Sequence, residues 1–281
     1  MEAYWDLIRR IILESDIIIE VLDARLIEMS RNKEIEKLVK EIDRPVLFVV
    51  NKSDLVDLGN LRENIKLLKE EGEVVFVCAK KPKDVKVILY AIKKIFNKYG
   101  KRENNLRMVG DPKIKTREAK ANIVVGILGY PNVGKSSIIN ALAHKKKVKV
   151  TKKAGTTHGI HWIKITNDIK LIDSPGVIPL KELDSENFSQ LDNEIRYGLI
   201  GAKTDKMRNP EVVAHAVIKL FLKNNPVNFE NFYNVKISED IDNVIEQIGK
   251  IKNYVMKKGV VDEYRTCLDI VRDWQSGRLR L

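Results

Sequence analysis

The chain has 281 residues, 44% of them hydrophobic, which is enough for one large domain or two ordinary domains with packed cores. No run of about eighteen apolar residues indicates a membrane span, and charges interrupt any signal-peptide core in M-E-A-Y-W-D-L-I-R-R. Only two cysteines occur, without a C-x-x-C pair, so neither a disulfide framework nor a structural zinc site is expected. We expect a cytoplasmic protein with no membrane partner.

The net charge of +12 has two interpretations. One is a solvated surface rich in lysine and glutamate, as heat-adapted proteins have. The other is a polyanionic partner, which a basic surface attracts and holds in a salt-dependent way. The distribution of charge favours the second, because the stretch from Ala119 to Asn167 has no acidic residue and contains a cluster formed by Lys145, Lys146, Lys147, Lys149, Lys152 and Lys153.

Short apolar runs alternate with helical patterns over most of the chain. An amphipathic helix is predicted at the N-terminus, and the strand-like runs are Ser15–Ala24, Arg44–Asp54, Glu73–Lys80, Ala121–Gly129 and Asp168–Gly176. The helical patterns between them are Glu34–Ile42, Leu61–Glu71 and Asp84–Tyr99. Near-continuous β-branched runs are typical of strands buried on both faces, so we predict a doubly wound, mostly parallel α/β sheet with right-handed crossovers. In such a sheet the ligand lies beyond the carboxyl ends of the strands.

The strand pattern ends near Ile178, and helices follow. Asn97–Lys120 lacks periodicity and is predicted to be a loop that links two halves of one sheet. The later helical patterns are Pro210–Leu222, Glu239–Lys257 and Asp262–Trp274, and Gly259 is expected to cap the second of these. We therefore expect an α/β domain over residues 1–178 and a smaller all-helical domain over residues 179–281.

The stretch G-Y-P-N-V-G-K-S-S satisfies the phosphate-loop pattern G-x-x-x-x-G-K-[ST], after a strand and before a helix. Backbone N–H groups and the helix dipole are expected to hold the β-phosphate. Lys135 is expected to bridge the β- and γ-phosphates, and the Ser136 hydroxyl to bind Mg²⁺. The alternative is a plain glycine-rich turn between strand and helix. The residues expected to contact nucleotide here are Asn132, Val133, Gly134, Lys135, Ser136 and Ser137.

N-K-S-D, at Asn51–Asp54, follows a buried strand and predicts a guanine-reading element. The Asp54 carboxylate is expected to accept hydrogen bonds from the N1–H and the exocyclic amine of guanine, and adenine offers neither donor. Asn51 would support the loop, and the aliphatic stem of Lys52 would cover the ring. The next strand end, C-A-K, is similar to an S-A-K element in which the alanine amide contacts guanine O6. This similarity adds Cys78, Ala79 and Lys80 to the residues expected to contact the base. We interpret Cys78 as a small buried residue rather than a reactive thiol.

Two further stretches carry candidate metal and γ-phosphate contacts. In D-S-P-G, Asp173 is expected to hold Mg²⁺ through a water molecule, and the Gly176 amide to contact the γ-phosphate. A-G-T-T-H-G lies between the phosphate loop and D-S-P-G, where the first switch segment belongs. Thr157 is the expected Mg²⁺ ligand in it, with Thr156 as the alternative.

These five elements occur in the order fourth, fifth, first, second, third relative to ordinary GTPases. The chain resembles the circularly permuted GTPases of the TRAFAC class, in particular the YlqF/RbgA type that acts in large ribosomal subunit assembly. D-A-R-L-I-E-M-S-R-N is similar to that family's D-A-R-x-P-x-S-x-R-N, with Ile27 at the proline position. L-I-G-A-K-T-D and D-W-Q-S-G-R-L are similar to its C-terminal domain. Because D-S-P-G leads into the helical part, loss of the γ-phosphate contact at Gly176 is expected to reposition that domain.

The resemblance also bears on catalysis. Val177 stands where Ras-like enzymes have a water-orienting glutamine, so hydrolysis is expected to be slow alone and stimulated by a partner. Asn132 matches a position that coordinates K⁺ in related GTPases, and a cation there would offset charge in the transition state. The alternative is that Asn132 only shapes the loop. The catalytic histidine of bacterial relatives has no counterpart, because the first histidine here is His144. The expected catalytic groups are Lys135, Asn132 and Gly176.

The expected function is GTP hydrolysis as a switch in large-subunit assembly. Expected cofactors are GTP or GDP, Mg²⁺ and, through Asn132, K⁺. The expected partner of a monomeric protein is the large ribosomal subunit or its RNA, with no DNA specificity. A GTP-regulated protein-binding switch with no RNA partner is the alternative. A nucleotide-driven motor is disfavoured, because no second acidic or arginine-finger motif is evident in the sequence.

Overall fold

The chain forms two compact units in the computed structural model, which describes residues 2–101, 123–143, 161–173, 190–201, 207, 209–257 and 259–281. The first unit consists of Met1–Ser53 with Gly59–Ile178, and the second of Asp54–Leu58 with Pro179–Leu281. Over these described ranges, every helix is too short or too polar to cross a membrane.

The first unit is built on one sheet. Its strands are β1 (Ile17–Asp23), β2 (Val46–Asn51), β3 (Glu73–Phe76), β4 (Ile123–Leu128), β5 (His161–Lys164) and β6 (Ile169–Asp173). Across the sheet they lie in the order β3-β2-β1-β4-β6-β5, and all neighbours are parallel except β5 and β6. All of β1 is buried, as expected of a strand with helices over both faces. The predicted mostly parallel α/β sheet is confirmed.

Helices connect these strands, and local signals explain where they begin and end. They are α1 (Glu2–Glu14), α2 (Ile27–Ser30), α3 (Lys33–Glu41), α4 (Arg62–Glu71), α5 (Pro82–Tyr99) and α6 (Lys135–Leu142). The Asn32 side chain accepts a hydrogen bond from the N–H of Ile35 and so caps α3. Pro82 begins α5, and Gly100, with φ of +73°, ends it. The predicted helices therefore form within a few residues of the predicted bounds.

Strand β5 was not predicted from the sequence. It is a four-residue edge strand, antiparallel to β6, in which Ile163 is buried and Trp162 is 51% exposed. So short a strand with one apolar face presents no continuous apolar run to detect. The predicted strand Glu73–Lys80 is also shorter in the structure, because the N–H of Lys81 donates to the carbonyl of Cys78 and turns the chain after β3.

Within the described residues, the second unit is helical. Its helices are α7 (Gln190–Ile200), α8 (Pro210–Asn224), α9 (Pro226–Tyr233), α10 (Ile241–Ile251) and α11 (Glu263–Ser276). The rings of Phe229 and Trp274 pack on Phe221, with centroids 5.5 and 6.0 Å away. The indole N–H of Trp274 donates to the carbonyl of Leu199 at 2.8 Å, which fastens α11 to the end of α7.

The predicted capping role of Gly259 is wrong. Helix α10 ends at Ile251, before the predicted Lys257, and Gly259 lies in a separate turn. There the N–H of Met256 donates to the carbonyl of Val260 at 2.8 Å. Gly259 has a φ of +77°, so the left-handed conformation that suggested a helix end is used to reverse the chain in a small hairpin.

Candidate nucleotide site

The predicted motifs of the first unit lie at one edge of the sheet. Asn51 ends β2, Asp173 ends β6, and the phosphate loop follows β4. Parallel strands bring their carboxyl ends to the same edge, where the ligands of such sheets bind. The strand that precedes the base-reading segment comes earlier in the chain than the strand that precedes the phosphate loop. This is the permuted order expected from the sequence.

Two glycines of the phosphate loop are required by close approach of other groups. Gly129 has a φ of +141° and Gly134 a φ of +107°, a region that side chains disfavour. A Cβ at Gly129 would lie 2.6 Å from the carbonyl oxygen of Val21. A Cβ at Gly134 would lie 2.1 Å from Nδ2 of Asn51. The loop therefore passes directly over β1 and against the base-reading segment, and it turns into α6 at Lys135.

Lys135 is buried beneath its own loop. Its ammonium group donates to the carbonyl oxygens of Gly129, at 2.5 Å, and Tyr130, at 2.8 Å. Burial lowers the pKa of Lys135 to about 8, although the negative charge of Asp173 acts in the opposite direction. The cation is thus held at the start of α6 with little solvation, where an anionic group would be a favourable partner.

Asn51 joins three segments of the site. Its Nδ2 donates to the carbonyl of Val133 in the phosphate loop at 2.8 Å. Its Oδ1 accepts a hydrogen bond from the N–H of Ala79, in C-A-K, at 3.0 Å. The side chain is 3% exposed. The first residue of N-K-S-D thus connects the phosphate loop with the segment after β3.

Lys52 belongs to a buried charge cluster with Asp23 and Arg25. Asp23 ends β1 directly beside Asn51, and its Oδ2 accepts from Nζ of Lys52 at 2.7 Å and from Nη2 of Arg25 at 2.9 Å. The side chains of Asp23 and Arg25 are completely buried. Lys52 itself has a φ of +61°, an uncommon conformation for a long side chain, which the ion pair helps to hold.

The pKa values in this cluster shift in directions that follow from its composition. Burial acts to raise the pKa of Asp23, but Arg25 and Lys52 outweigh it and hold the pKa at about 2. Burial lowers the pKa of Lys52; Asp23 opposes this, while the positive charges of Arg25 and Lys80 add to it. Both pKa values are lowered because two cations share one carboxylate: Asp23 is stabilised by both Arg25 and Lys52, whereas Lys52 is repelled by Arg25. The cluster therefore carries an excess positive charge beside Asn51.

The other predicted base-contacting residues have varied positions. Asp54 is half-buried in the 3-10 turn Ser53–Leu55 and belongs to the second compact unit. Cys78 is buried and is not part of a disulfide, Ala79 is half-buried and Lys80 is exposed. The residues directly before Asp54 and Cys78 are joined, because the N–H of Ser53 donates to the carbonyl of Val77 at 3.3 Å.

The candidate metal ligands that the structure describes are oxygen donors. Ser136 is exposed in the first turn of α6, and Asp173 is half-buried at the end of β6. A hydroxyl and a carboxylate suit Mg²⁺, which binds through few protein oxygens and keeps several waters. Asn132 is exposed at the tip of the loop with a φ of +61°. Asparagine tolerates this conformation better than most residues, which agrees with a role in shaping the loop.

Several predicted residues lie outside the described ranges. They are Thr156 and Thr157 of the first switch segment, Gly176 and Val177, the lysine cluster Lys145–Lys153, and most of the predicted loop Asn97–Lys120.

Asp23 and Arg25 are site residues to which the sequence analysis assigned no role. The resemblance of D-A-R to a family segment was the available signal, since it placed both residues at the end of a predicted strand. The motif does not show which strand lies beside β1. Only the register of β1 beside β2 brings Asp23 level with Asn51 and within reach of Lys52.

Comparison with known proteins agrees with this geometry. A family model described as a 50S ribosome-binding GTPase matches residues 124–258. The chain is 32% identical over 266 residues to ribosome biogenesis GTPase A of Bacillus cereus, which covers 94% of this chain and 84% of that protein. It is 35% identical over 279 residues to an uncharacterized GTP-binding protein of Methanocaldococcus jannaschii, covering 97% of this chain but only 65% of that protein.

A solved structure extends the comparison to the fold. GNP-bound YlqF from T. maritima superposes with a TM-score of 0.58 over 94% of this chain and 89% of that one, at 20% sequence identity. At this identity the likeness concerns the fold alone. Together with the 32% identity over most of ribosome biogenesis GTPase A, it leads to one conclusion. The chain belongs to the family of circularly permuted GTPases that includes ribosome biogenesis GTPase A.

Proposed function

We propose that this protein binds and hydrolyses GTP as a switch in large ribosomal subunit assembly, in the cytoplasm and as a monomer, and that it binds ribosomal RNA. The observation that carries the nucleotide part is the bridge made by Asn51, which ties the phosphate loop to the segments expected to read guanine. The name and family of the relatives support the ribosomal part. The acid-free basic stretch supports the RNA partner.

The chemistry of nucleotide binding follows from the buried groups. The ammonium group of Lys135 would turn from the two loop carbonyls toward the β- and γ-phosphates. The phosphate charges would compensate the ammonium group for the hydration that it loses through burial. Asp54 would accept hydrogen bonds from the Watson–Crick edge of guanine. The aliphatic stem of Lys52 would lie over the ring while its ammonium group is held by Asp23. A test is titration with GDP, ADP and XDP of the wild type and of Asp54→Asn.

In that titration, we expect the wild type to prefer GDP over ADP by several orders of magnitude. Asp54→Asn should weaken the binding of GDP and strengthen the binding of XDP. Xanthine carries an oxygen where guanine has its exocyclic amine, and the asparagine amide can donate a hydrogen bond to that oxygen. If Asp54→Asn keeps the wild-type preference, Asp54 does not read the base.

Mg²⁺ would be held by Ser136 and Asp173, with Thr157 as a further ligand, and would neutralise charge on the phosphates. Ser136→Ala should weaken Mg²⁺-dependent binding of a GTP analogue and leave binding without Mg²⁺ unchanged. Ser137→Ala is the control for the metal alone: it removes an adjacent hydroxyl that is expected to contact nucleotide but not Mg²⁺, so any loss of binding should be equal with and without Mg²⁺. Equal Mg²⁺ dependence of binding in the wild type and in Ser136→Ala would mean that Ser136 is not a Mg²⁺ ligand.

Hydrolysis would rely on Lys135, the Gly176 amide and a K⁺ ion at Asn132, since Val177 provides no water-orienting amide. The left-handed backbone at Asn132 allows the two roles of this residue to be separated. Asn132→Gly keeps the loop conformation accessible and removes the amide, whereas Asn132→Ala removes the amide and strains the loop. Faster hydrolysis in K⁺ than in Na⁺ in the wild type, lost in both variants, supports the cation role. If Asn132→Gly behaves as wild type in K⁺, Asn132 only shapes the loop.

RNA binding is tested by sedimentation with large and small ribosomal subunits in the presence of GDP or a non-hydrolysable GTP analogue, at two salt concentrations. We expect binding to the large subunit that requires the analogue and weakens at higher salt. Neutralising Lys145, Lys146 and Lys147 should weaken it. A control with the same charge change is available in α5, where Lys83, Lys86 and Lys93 are exposed. Equal loss in both triple variants would mean a non-specific charge effect.

The second candidate is a GTP-regulated protein-binding switch without an RNA partner. It predicts that binding to subunits resists salt and survives neutralisation of Lys145–Lys147. Binding to neither subunit in any nucleotide state would leave a GTPase without its ribosomal role.

A further inference from the structure

The C-terminal segment Gly277–Leu281 follows a fixed path. The Arg278 guanidinium donates to Oδ1 of Asp273 at 2.9 Å. The backbone N–H of Arg280 donates to Oδ1 of Asn228 at 3.1 Å. These contacts lie on both sides of Leu279, which is completely buried. The motif D-W-Q-S-G-R-L thus ends in a tail that the helices of the second unit hold in place.

This tail contacts the turn that contains Asp54. The backbone N–H of Leu281 donates to the carbonyl oxygen of Leu55 at 2.9 Å. The Leu55 side chain lies directly against Gly277, because a Cβ there would be 2.8 Å from Cδ1 of Leu55. Leu55 is 4% exposed. The pentapeptide Asp54–Leu58 accordingly groups with the second compact unit.

The two halves of N-K-S-D therefore have different supports. Asn51 and Lys52 are fastened by Val133, Ala79 and Asp23, all in the first unit. Asp54 precedes Leu55 in one 3-10 turn, and Leu55 is fastened by the tail. A shift of the Leu55 carbonyl would rotate this short turn and the Asp54 carboxylate with it.

We propose that Leu55, Gly277 and Leu281 are positioning residues for guanine recognition: the C-terminal tail sets the orientation of the Asp54 carboxylate. This inference rests on the proposed function, since it takes Asp54 as the acceptor for guanine. It also assigns a role to the D-W-Q-S-G-R-L motif: the motif fixes the tail, and the tail fixes the base-reading turn. Loss of the tail contact should reduce selectivity for the base and leave phosphate binding intact.

The test compares dissociation constants for GDP and IDP, because inosine lacks the exocyclic amine that Asp54 would bind. Leu281→Pro removes the donor N–H, and Leu281→Ala is the matched control that keeps it. Leu55→Ala is a second variant that removes the side chain packed on Gly277. We expect the ratio of the IDP constant to the GDP constant to fall about threefold to tenfold in Leu281→Pro and Leu55→Ala, the effect of one weakened hydrogen bond, and to stay at the wild-type value in Leu281→Ala.

Inorganic triphosphate serves as the probe of the phosphate end. Its affinity should be equal in wild type and in all three variants, which separates a positioning effect from general loss of structure. A wild-type ratio in Leu281→Pro, or a parallel loss of triphosphate affinity, overturns the inference. The Asp54→Asn titration separates failure of the tail's positioning role from failure of base reading by Asp54. If Asp54→Asn shifts preference to XDP while Leu281→Pro keeps the wild-type ratio, the tail inference alone fails. If Asp54→Asn shifts nothing, the base-reading role itself fails.

Discussion

Replacing Asn51 by alanine should destabilise the protein, because its side chain is the bridge among three segments. The substitution removes hydrogen bonds of 2.8 Å to the Val133 carbonyl and 3.0 Å from the Ala79 N–H, at a position that is 3% exposed. A buried polar group left without a partner costs about 1 to 3 kcal/mol. The N–H of half-buried Ala79 reaches water more readily, so the cost of losing its partner lies at the low end of this range. The expected decrease in the free energy of unfolding is therefore about 2 to 4 kcal/mol.

Urea denaturation without nucleotide measures this free energy, and an unchanged m-value confirms that the two states are comparable. Asn140→Ala is the control, because Asn140 is an exposed asparagine in α6 and should change the free energy by about 0.5 kcal/mol or less. Amide exchange gives an independent readout, since the Ala79 N–H should exchange faster in Asn51→Ala. A free energy equal to that of the Asn140→Ala control, with wild-type protection at Ala79, would refute the bridging role of Asn51.

Three further predictions concern the same edge of the sheet. Gly134→Ala should weaken GDP binding about tenfold or more, because it adds a clash with Asn51 to a backbone strain of about 1 to 2 kcal/mol. Gly100→Ala, also at positive φ but at the end of α5 with open space around it, should leave GDP binding unchanged. The pKa of Lys135 is lowered to about 8 and its charged form binds phosphate, so GDP affinity should fall as pH rises through 8. Calorimetry should show proton uptake on GDP binding in this pH range. Guanosine carries no phosphate, so its affinity should not depend on pH in this way. Asp23, with its pKa lowered to about 2, should contribute about 2 kcal/mol of stability that is present above about pH 4 and lost as pH falls toward 2, so the stability difference between wild type and Asp23→Asn should shrink over that interval. A constant difference from pH 5 to 2 would contradict the ion pairing of Asp23.

The parts of the fold that the sequence predicted depend on local patterns. The buried strands were recognisable because their apolar runs are continuous, and the phosphate loop because Gly129 and Lys135 stand at fixed spacing between a strand and a helix. Strand β5 escaped prediction because Ile163 is its only buried side chain among those described. Gly259 was misassigned because positive φ serves helix ends and hairpin turns equally well.

The parts that could not be predicted depend on contacts between distant residues. Asp23 and Lys52 are 29 positions apart, and their ion pair requires a register between strands that neither strand's pattern specifies. The link from Leu281 to Leu55 is a backbone hydrogen bond and leaves no trace in side-chain chemistry. For the same reason, nothing in the composition of Asp54–Leu58 indicated that it groups with the helices.

The position of β1 in the sheet has a consequence for synthesis of the chain. Its neighbours are β2, which is translated soon after it, and β4, which begins only at Ile123. At a translation rate of about 5 to 20 residues per second, the ribosome exposes β1, β2 and β3 for several seconds before β4 emerges. During that interval one side of β1 presents unpaired N–H and C=O groups, an edge prone to wrong association. A permuted chain of this kind thus has a long interval between synthesis of its first strand and synthesis of that strand's second partner.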